Sequence, residues 1–463
     1  MFKRVLIANR GEIAVRIIRA LREMQIESVA VYSTADRDSL FVKLADIAVC
    51  IGGPQPKDSY LNIQNIVSAA VLSGADAIHP GFGFLSENAE FARVCAECGV
   101  VFIGPKEATI ELMGNKSNAR NTMKAHGIPV IPGSDEAITS IDQALTLADK
   151  IDYPIMLKAA AGGGGKGIRV IKDRKDLMKK FPAAQRETEL SFDDQSMYIE
   201  KIIEEPKHVE VQIMRDCFGN VLAFPERDCS LQRSHQKMVE ESPCSVIDQS
   251  ERDYLLSVAR KAADTIDYLN TGTFEFLMDK QHHFYFMEMN TRLQVEHPIT
   301  EMVTGIDLVK MQISVAAGEK LGLTQANIHI HGTAIECRIN SEDPVHNFLP
   351  QAGRIKSLHF PLGCPGTRVD SGVDSGSAIS PFYDSMIAKL IAHGSTRQEA
   401  LAIMDRMLSE MSIEGVTTNI KFQQALMHSP AVVSGNATTD YIEDDFLPTW
   451  IDHLAEEKIN DLV

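Results

Sequence analysis

No apolar run in this 463-residue chain approaches the ~18 residues that a membrane-spanning helix needs. The amino terminus, Met1-Phe2-Lys3-Arg4, leads into a short apolar stretch that ends at Asn9-Arg10, too little for the apolar region of a secretory signal. Cysteines are few and scattered: Cys95 and Cys98 are the only close pair and no second pair joins them, which leaves a structural zinc site short of its three or four ligands. Unpaired thiols and no signal peptide are read as a reducing, cytoplasmic setting. Positive charge is also scarce. With 46 basic against 63 acidic side chains the net charge is −17, a field that repels nucleic acid and anionic membranes and disfavours both as main partners. If the substrates are themselves anions, positive charge must be gathered locally.

Several motifs are missing too. The turn after the first strand lacks the G-x-G-x-x-G that seats a dinucleotide pyrophosphate, and no Gly-Lys-Ser/Thr opens a helix as a Walker loop would. There is no internal repeat and no low-complexity segment. What remains is an ordinary globular composition, 44% hydrophobic and 24% charged, at a length that predicts about three domains of roughly 150 residues.

Val5-Leu6-Ile7-Ala8 reads as a strand, Arg10-Gly11 as a turn, and Ile13, Ile17, Ile18 and Leu21 as one helical face. Further apolar strands (Ser28 to Val31, Ala45 to Cys50, Ala77-Ile78, Val100 to Ile103) alternate with helical stretches at Ile63 to Leu72 and Ala89 to Glu97, which predicts a small parallel α/β sheet. A linker is expected around Pro129 and Pro132-Gly133. The spacing then predicts a helix from Ala137 to Lys150 and strands at Met197 to Ile203, Val209 to Met214, Val221 to Phe224, Thr273 to Met278 and Phe284 to Met289, read as one large antiparallel sheet backed by a helix from Glu251 to Ile266. Near the end, Thr396 and Glu399 form a capping box before a helix through Leu408.

Three places carry chemistry. Gly162-Gly163-Gly164-Gly165, between Lys158 and Lys166 and joining two strands, offers backbone N–H groups that could close over phosphates; a solvated hairpin tip is the plainer alternative. The segments around Glu275 and Glu288 read as a hairpin with a four-residue turn, Asp279 to His282, which sets Glu275, Glu288 and Asn290 on one face. Two carboxylates and an amide oxygen suit a hard cation such as Mg²⁺, unless both glutamates are merely solvated. If extended chain continues, the alternation carries Arg292, Gln294 and Glu296 to the same face and stops at Pro298. Arg292 then serves as an anion fork and Glu296 as a base, or the two form a structural ion pair. His208, Glu210 and Gln212 share one strand face, with His208 open to a purely hydrogen-bonding role, and Gln232, Arg233, His235 and Lys237 form a further polar cluster.

These residues resemble those of the biotin carboxylases, members of the ATP-grasp superfamily. The likeness rests on Leu6-Ile-Ala-Asn-Arg-Gly-Glu-Ile-Ala-Val-Arg16, His79-Pro-Gly-Phe-Gly-Phe-Leu-Ser-Glu-Asn88, Lys158 with the glycine run, Phe286 through Pro298, and Glu336-Cys-Arg-Ile-Asn340. It implies an α/β and α+β protein: a Rossmann-like amino-terminal α/β domain (1–114), an ATP-grasp domain (115–330) with a mobile lid at about 133–203, a carboxy-terminal biotin carboxylase domain (331–446) and a tail (447–463). ATP would be held by Lys116, Lys158, Gly162 to Gly165, Glu200, the backbone of Lys201 and Ile203, His208, Gln232 and His235. Mg²⁺ or Mn²⁺ would sit on Glu275, Glu288 and Asn290, and bicarbonate on Lys237, Arg292, Gln294 and Val295, with Glu296 as its base. In the family mechanism ATP converts bicarbonate to carboxyphosphate, which releases CO₂ and phosphate; the phosphate deprotonates the ureido nitrogen of biotin and the Arg338 position stabilises the resulting charge.

The resemblance also implies a homodimer. No Met-Lys-Met attachment motif occurs, so biotin is expected on a separate carrier protein, with carboxyltransferase subunits completing an acetyl-CoA carboxylase of fatty acid synthesis. A component of a pyruvate or propionyl-CoA carboxylase, or another ATP-grasp ligase, is the alternative. One departure stands out: the usual tyrosine of His-Pro-Gly-Tyr-Gly is Phe82 here, which removes a hydroxyl near the biotin position.

Overall fold

The computed structural model describes residues 1–159, 168–192 and 196–460. The chain divides into two compact units, one comprising Met1–Ala119, Lys207–Phe276 and Glu288–Val463, the other Arg120–Pro206 and Leu277–Met287.

In the first unit, β1 (Arg4–Ile7), β2 (Glu27–Ser33), β3 (Ile47–Gly52), β4 (Ala77–His79) and β5 (Val101–Phe102) form a parallel sheet in the order β3-β2-β1-β4-β5. Helix α1 (Gly11–Glu23) buries Ile13, Ile17, Ile18 and Leu21, the face its sequence marks. α2 (Ile63–Ser73) and α3 (Ala89–Glu97) start on Asn62 and Asn88, whose side chains accept N–H bonds three residues on. After β4, the Gly81 N–H donates to His79 Nδ1, and Gly81 takes a left-handed φ of +63° where a Cβ would come within 2.9 Å of Asn9 Nδ2.

In the second unit, α4 (Ile141–Ile151) begins four residues later than its sequence pattern suggests, because a full capping box at Ser140 and Gln143 fixes its start. β6 (Ile155–Ala159) pairs antiparallel with β7 (Ile168–Ile171), so the glycine run does join two strands; Gly162 to Gly165 themselves lie outside the described residues. α5 (Arg174–Phe192) follows, and β8 (Met197–Lys201) then pairs with β6. The expectation that the Met197 strand joins the large sheet is therefore corrected: its partners are β6 and, by isolated bridges, Gly133 and Ile138.

The large sheet has nine strands: β9 (Lys207–Arg215), β10 (Val221–Ala223), β11 (Arg227–Arg233), β12 (Gln236–Ser242), β13 (Asn270–Met278), β14 (Phe284–Asn290), β15 (Thr333–Asn340), β16 (Thr367–Ser371) and β17 (Met386–Gly394). Its order is β14-β13-β9-β11-β12-β15-β17-β16, with β10 on β9. Strands from the last third of the chain thus continue the sheet that carries His208, Lys237 and Glu275. β9 is buried along nearly its whole length, so both of its faces are covered. α6 (Gln249–Thr265), capped by Asp248 and Glu251, lies close to the expected span.

Local geometry departs from the sequence reading in three places. The β13–β14 turn has five residues, Asp279 to His283, rather than four. Beyond Asn290 the chain leaves the extended conformation, and α7 (His297–Thr304) starts directly after Glu296 with Pro298 in its first turn; the proline opens a helix instead of ending a strand. At α8 (Arg397–Glu410) only half of the capping box forms, since Thr396 accepts from the Glu399 N–H while the Glu399 carboxylate takes the N–H of Ser395.

Candidate active site

On β9, period-2 alternation turns His208, Glu210 and Gln212 to one face, and all three are buried. Across from them β11 and β12 form a hairpin in which Arg233 pairs with Gln236; the two turn residues, Ser234 and His235, both have left-handed φ, at 48° and 62°. That tight turn sets the register that brings Lys237 over Glu210. The Lys237 ammonium donates to Glu210 Oε2 at 2.5 Å, Glu296 Oε1 at 2.7 Å and Glu275 Oε1 at 2.9 Å, three carboxylates from three separate segments.

Behind them Arg227, with no exposure at all, donates to Glu210 Oε1 at 2.5 Å and to Gln212 and Thr300. Burial works against the Lys237 charge, but Glu210, Glu275 and Glu296 outweigh it and hold the group well above the usual lysine range. The reverse holds at Glu296: burial favours its neutral form, Lys237, Arg338 and Arg227 overcome it, and the carboxyl sits well below its usual range. Glu275 is lowered in the same way by Lys237 and His208, whereas at Glu210 burial prevails and the carboxyl is raised.

The turn from Asn290 to Glu296 does gather Arg292, Gln294 and Glu296, though by folding back rather than by alternation. Arg292 donates to Asn290 Oδ1 at 3.1 Å, Gln294 Oε1 at 3.2 Å and Glu87 Oε2 at 3.0 Å. Gln294 Nε2 donates to Glu275 Oε1 at 2.8 Å. The alternative of an Arg292–Glu296 ion pair is not what forms: Arg292 pairs with Glu87, and Glu296 with Lys237 and Arg338. Arg338 donates from Nε to Glu240 Oε1 at 2.7 Å and from Nη2 to Glu296 Oε2 at 3.0 Å. The Val295 carbonyl accepts from Lys389, a lysine with no exposure that also pairs with Glu12 at 2.9 Å. Phe82 lies partly buried with its ring centroid 6.0 Å from the Lys389 ammonium.

For a metal, Glu275 and Asn290 share a face, since Asn290 Nδ2 donates to Glu275 Oε1 at 2.7 Å. Glu288, two residues before Asn290 on β14, keeps 30% of its side chain exposed and pairs with Lys116 at 2.5 Å. Glu275, Glu288 and the Asn290 amide oxygen, which here accepts from Arg292, would supply oxygen donors of the kind that Mg²⁺ or Mn²⁺ takes. His208, Glu210 and Glu275 also bring ligand atoms within 4.8 Å of one another, but there the Lys237 ammonium already supplies the cation.

Of the expected nucleotide residues, Lys158 and Glu200 form an ion pair across β6 and β8. The Lys201 N–H is committed to the Pro132 carbonyl at 2.8 Å, so any ligand contact from that backbone comes through its C=O. Ile203 is half-buried beyond β8. His208 Nε2 stands 3.1 Å from Glu275 Oε2, Gln232 is buried on β11, and His235 is exposed at the hairpin turn.

Sequence reasoning passes over four partners of these groups. Glu87 sits inside the His79–Asn88 motif, and that motif is the available signal. Arg227, Glu240 and Lys389 reach the site through strand pairing and carry no local mark.

Three family models match successive stretches of the chain: the biotin carboxylase N-terminal domain over residues 1–110, the ATP-binding domain of the carbamoyl-phosphate synthase L chain over 115–324, and the biotin carboxylase C-terminal domain over 336–444. Biotin carboxylase 1 of Bacillus subtilis is 52% identical over 444 residues, 96% of this chain and 98% of that protein. A pyruvate carboxylase component of Methanothermobacter thermautotrophicus is 49% identical, covering 96% of this chain and 90% of that one. Among solved structures, the biotin carboxylase domain dimer of Hydrogenobacter thermophilus 2-oxoglutarate carboxylase, in complex with MgADP, ADP and bicarbonate, superposes with a TM-score of 0.87 at 46% identity over 96% of this chain and 98% of that one.

Proposed function

Because the chain belongs to the biotin carboxylase family, we infer that the centre around Lys237 carries out ATP-dependent carboxylation of biotin with bicarbonate. The chain is an ATP-dependent carboxylase of ATP-grasp fold. The observation that carries the residue assignment is Glu296, with no exposure, held ionised between Lys237 and Arg338.

Glu296 is the base. Its carboxylate takes the proton of bicarbonate, while Lys237 and the Arg292 fork hold the anion and Gln294 and Val295 line it. A bicarbonate oxygen then bonds to the γ-phosphorus of ATP, the bond to the β–γ bridging oxygen breaks, and carboxyphosphate and ADP result. Lys116, Lys158, the glycine run at 162–165, Glu200, Lys201, Ile203, His208, Gln232 and His235 hold the nucleotide. Glu275, Glu288 and Asn290 would hold Mg²⁺ or Mn²⁺, which neutralises charge on the phosphoryl group in transfer. Carboxyphosphate parts into CO₂ and phosphate, phosphate removes the ureido N–H proton of biotin, and Arg338 stabilises the charge left on the ureido oxygen until nitrogen bonds to CO₂.

Residues 1–114, 115–330 and 331–446 serve as the amino-terminal, ATP-grasp and carboxy-terminal domains, with 133–203 as the lid and 447–463 as a tail; the spans of the three family models support this division. Biotin comes on a separate carrier protein, carboxyltransferase subunits use the product, and the assembly is a homodimeric acetyl-CoA carboxylase component of fatty acid synthesis. The full-length match to Bacillus subtilis biotin carboxylase 1 supports this, and the match to a pyruvate carboxylase component supports pyruvate as the second choice. Among the described residues no helix is long and apolar enough to cross a membrane. The eight cysteines are free thiols, which supports a cytoplasmic setting.

The test is ATP cleavage by the purified chain. Cleavage is expected to require bicarbonate and to rise when biotin or a biotinylated carrier is added. Well-folded protein whose ATP cleavage ignores both would sink the reading.

A further inference from the structure

Behind Arg338 lies a second charged group that the proposed chemistry leaves unused. β12 and β15 run antiparallel with Glu240 paired to Glu336, and β15 and β17 run antiparallel with Arg338 paired to Lys389. Glu336 and Arg338 are two residues apart and so share a face. The result is a patch of four ionisable side chains in which two glutamates stand directly opposite each other, both with no exposure. Directly opposed residues of an antiparallel pair have Cβ atoms about 4.5–5.5 Å apart, and like charges there repel.

Their hydrogen bonding is incomplete. Glu240 Oε1 accepts from Arg338, but Glu240 Oε2 and both Glu336 carboxyl oxygens are buried without a hydrogen-bond partner among the described residues. Two ionised carboxylates in that arrangement would leave three orphaned, desolvated acceptors and an unrelieved repulsion; a shared proton removes the repulsion and supplies the missing donor.

We propose that Glu240 and Glu336 form a buried carboxyl pair that keeps one proton between them and, through Glu240, positions Arg338. The groups facing the pair are Arg338, Lys237 and Lys389 as cations, Glu296 as an anion, and the thiols of Cys229 and Cys337. Burial is the largest influence on both acids: it pushes Glu240 up to about 7 against the pull of Arg338, and lifts Glu336 well above the carboxylate range against that of Lys389. The first proton therefore resides mainly on Glu336, leaving Glu240 ionised and gripping the guanidinium at Nε. A second proton, taken up by Glu240 as pH falls through neutrality, loosens that grip and leaves Arg338 on Glu296 alone. The pair titrates as a unit.

The proposal rests on the biotin carboxylase reading only for what Arg338 does; the proton itself does not depend on it. The first measurement is accordingly infrared spectroscopy of the folded, ligand-free protein between about pH 6 and pH 8. A protonated-carboxyl band that grows as pH falls is expected in wild type. It should be absent in Glu240→Gln and stay near the same pH in Glu336→Gln, where a neutral amide replaces an acid that is already neutral, while the protonated-carboxyl absorbance that persists at about pH 8 falls in Glu336→Gln. Other glutamates raised by burial, Glu12, Glu210, Glu226 and Glu342, contribute bands of their own, so the assignment stands on the difference between variants. No titrating band in wild type, one that is unchanged in Glu240→Gln, or an undiminished band at about pH 8 in Glu336→Gln overturns the proposal even if the enzyme is fully active.

The second measurement is the pH profile of biotin-dependent turnover. An acid limb near neutrality is expected in wild type and at about the same pH in Glu336→Gln; in Glu240→Gln, kcat/KM for biotin should fall about tenfold with that limb gone. Coincident limbs in all three proteins leave Glu240 a merely structural role and overturn the positioning claim. Loss of all ATP cleavage in wild type would instead fault the functional reading.

Discussion

Lys237 and Lys158 are both expected to meet an anionic substrate, and the fold holds them differently. Lys237 keeps 12% of its side chain exposed and faces three carboxylates that are themselves almost wholly buried. Lys158 keeps 34% exposed and faces one carboxylate, Glu200, that keeps 26%. In the second case water screens the pair, and exposed ion pairs of this kind contribute about 0–1 kcal/mol. In the first, removing one partner strands a buried charge at a cost of about 3–5 kcal/mol. The proposed roles fit this difference: a lysine that gives up its partner to a ligand is held loosely, and one that fixes the state of a base is held from several sides.

The largest expected effect separates these duties. Glu296→Gln should lower kcat by about 10³-fold, within the range for loss of a general base, while ATP binding measured by calorimetry stays near the wild-type value. A parallel loss of ATP affinity would erase the distinction between the two lysines. Lys158→Gln should do the opposite, raising KM for ATP by about 10–100-fold with stability to denaturant changed by less than about 1 kcal/mol. A large stability loss there would show that the pair is structural after all.

A smaller effect sharpens the buried side of the contrast. Glu296 is held well below its usual range in the fold and titrates near the ordinary glutamate value, about 4.3, when unfolded. The stability it contributes is therefore complete above about pH 4.3 and is lost as pH falls from there toward the folded value. Below that point unfolding free energy should fall more steeply in wild type than in Glu296→Gln, by about 1.4 kcal/mol per pH unit. Equal slopes in chemical denaturation series would contradict the assignment of charge at the centre.

How much of this is legible in the sequence depends on distance along the chain. Glu275 and Asn290 can be brought together because alternation on two neighbouring strands is a local rule, and the observed bond between them bears it out. Arg292, Gln294 and Glu296 are gathered correctly by nearness but along the wrong path: the extended chain that alternation requires gives way to a turn, because Pro298 favours a helix start. Arg338 and Glu240 are 98 positions apart, and Arg292 and Glu87 are 205 apart. Such pairs follow from which strands and loops become neighbours, and no periodicity within a segment encodes that choice. The opposition of Glu240 to Glu336 is invisible for the same reason, since a register between strands is not a property of either one.

The net charge of −17 misleads in a similar manner. It describes the surface field, while Arg227, Lys237, Arg338 and Lys389 are spent inside, each against glutamates that a surface count would assign to solvent. An anion entering this centre meets cations already oriented, in surroundings where their charge is poorly screened.

The pairing of β12 with β15 bears on how such a protein could be cut or recombined. The family models end and resume between residues 324 and 336, which makes that stretch look like a joint where modules could be exchanged. The hydrogen bonds run the other way, with Val239 to Ser242 on one side and Ala334 to Cys337 on the other closing a single sheet across that joint. A truncation after residue 330 would strip β12 of its neighbour and expose a row of unpaired N–H and C=O groups, the kind of open edge that seeds aggregation. It would also carry Arg338 away from Glu296. Exchange at this position therefore succeeds only where the incoming piece brings a matching strand, so the seam is inherited together with the chemistry on either side of it.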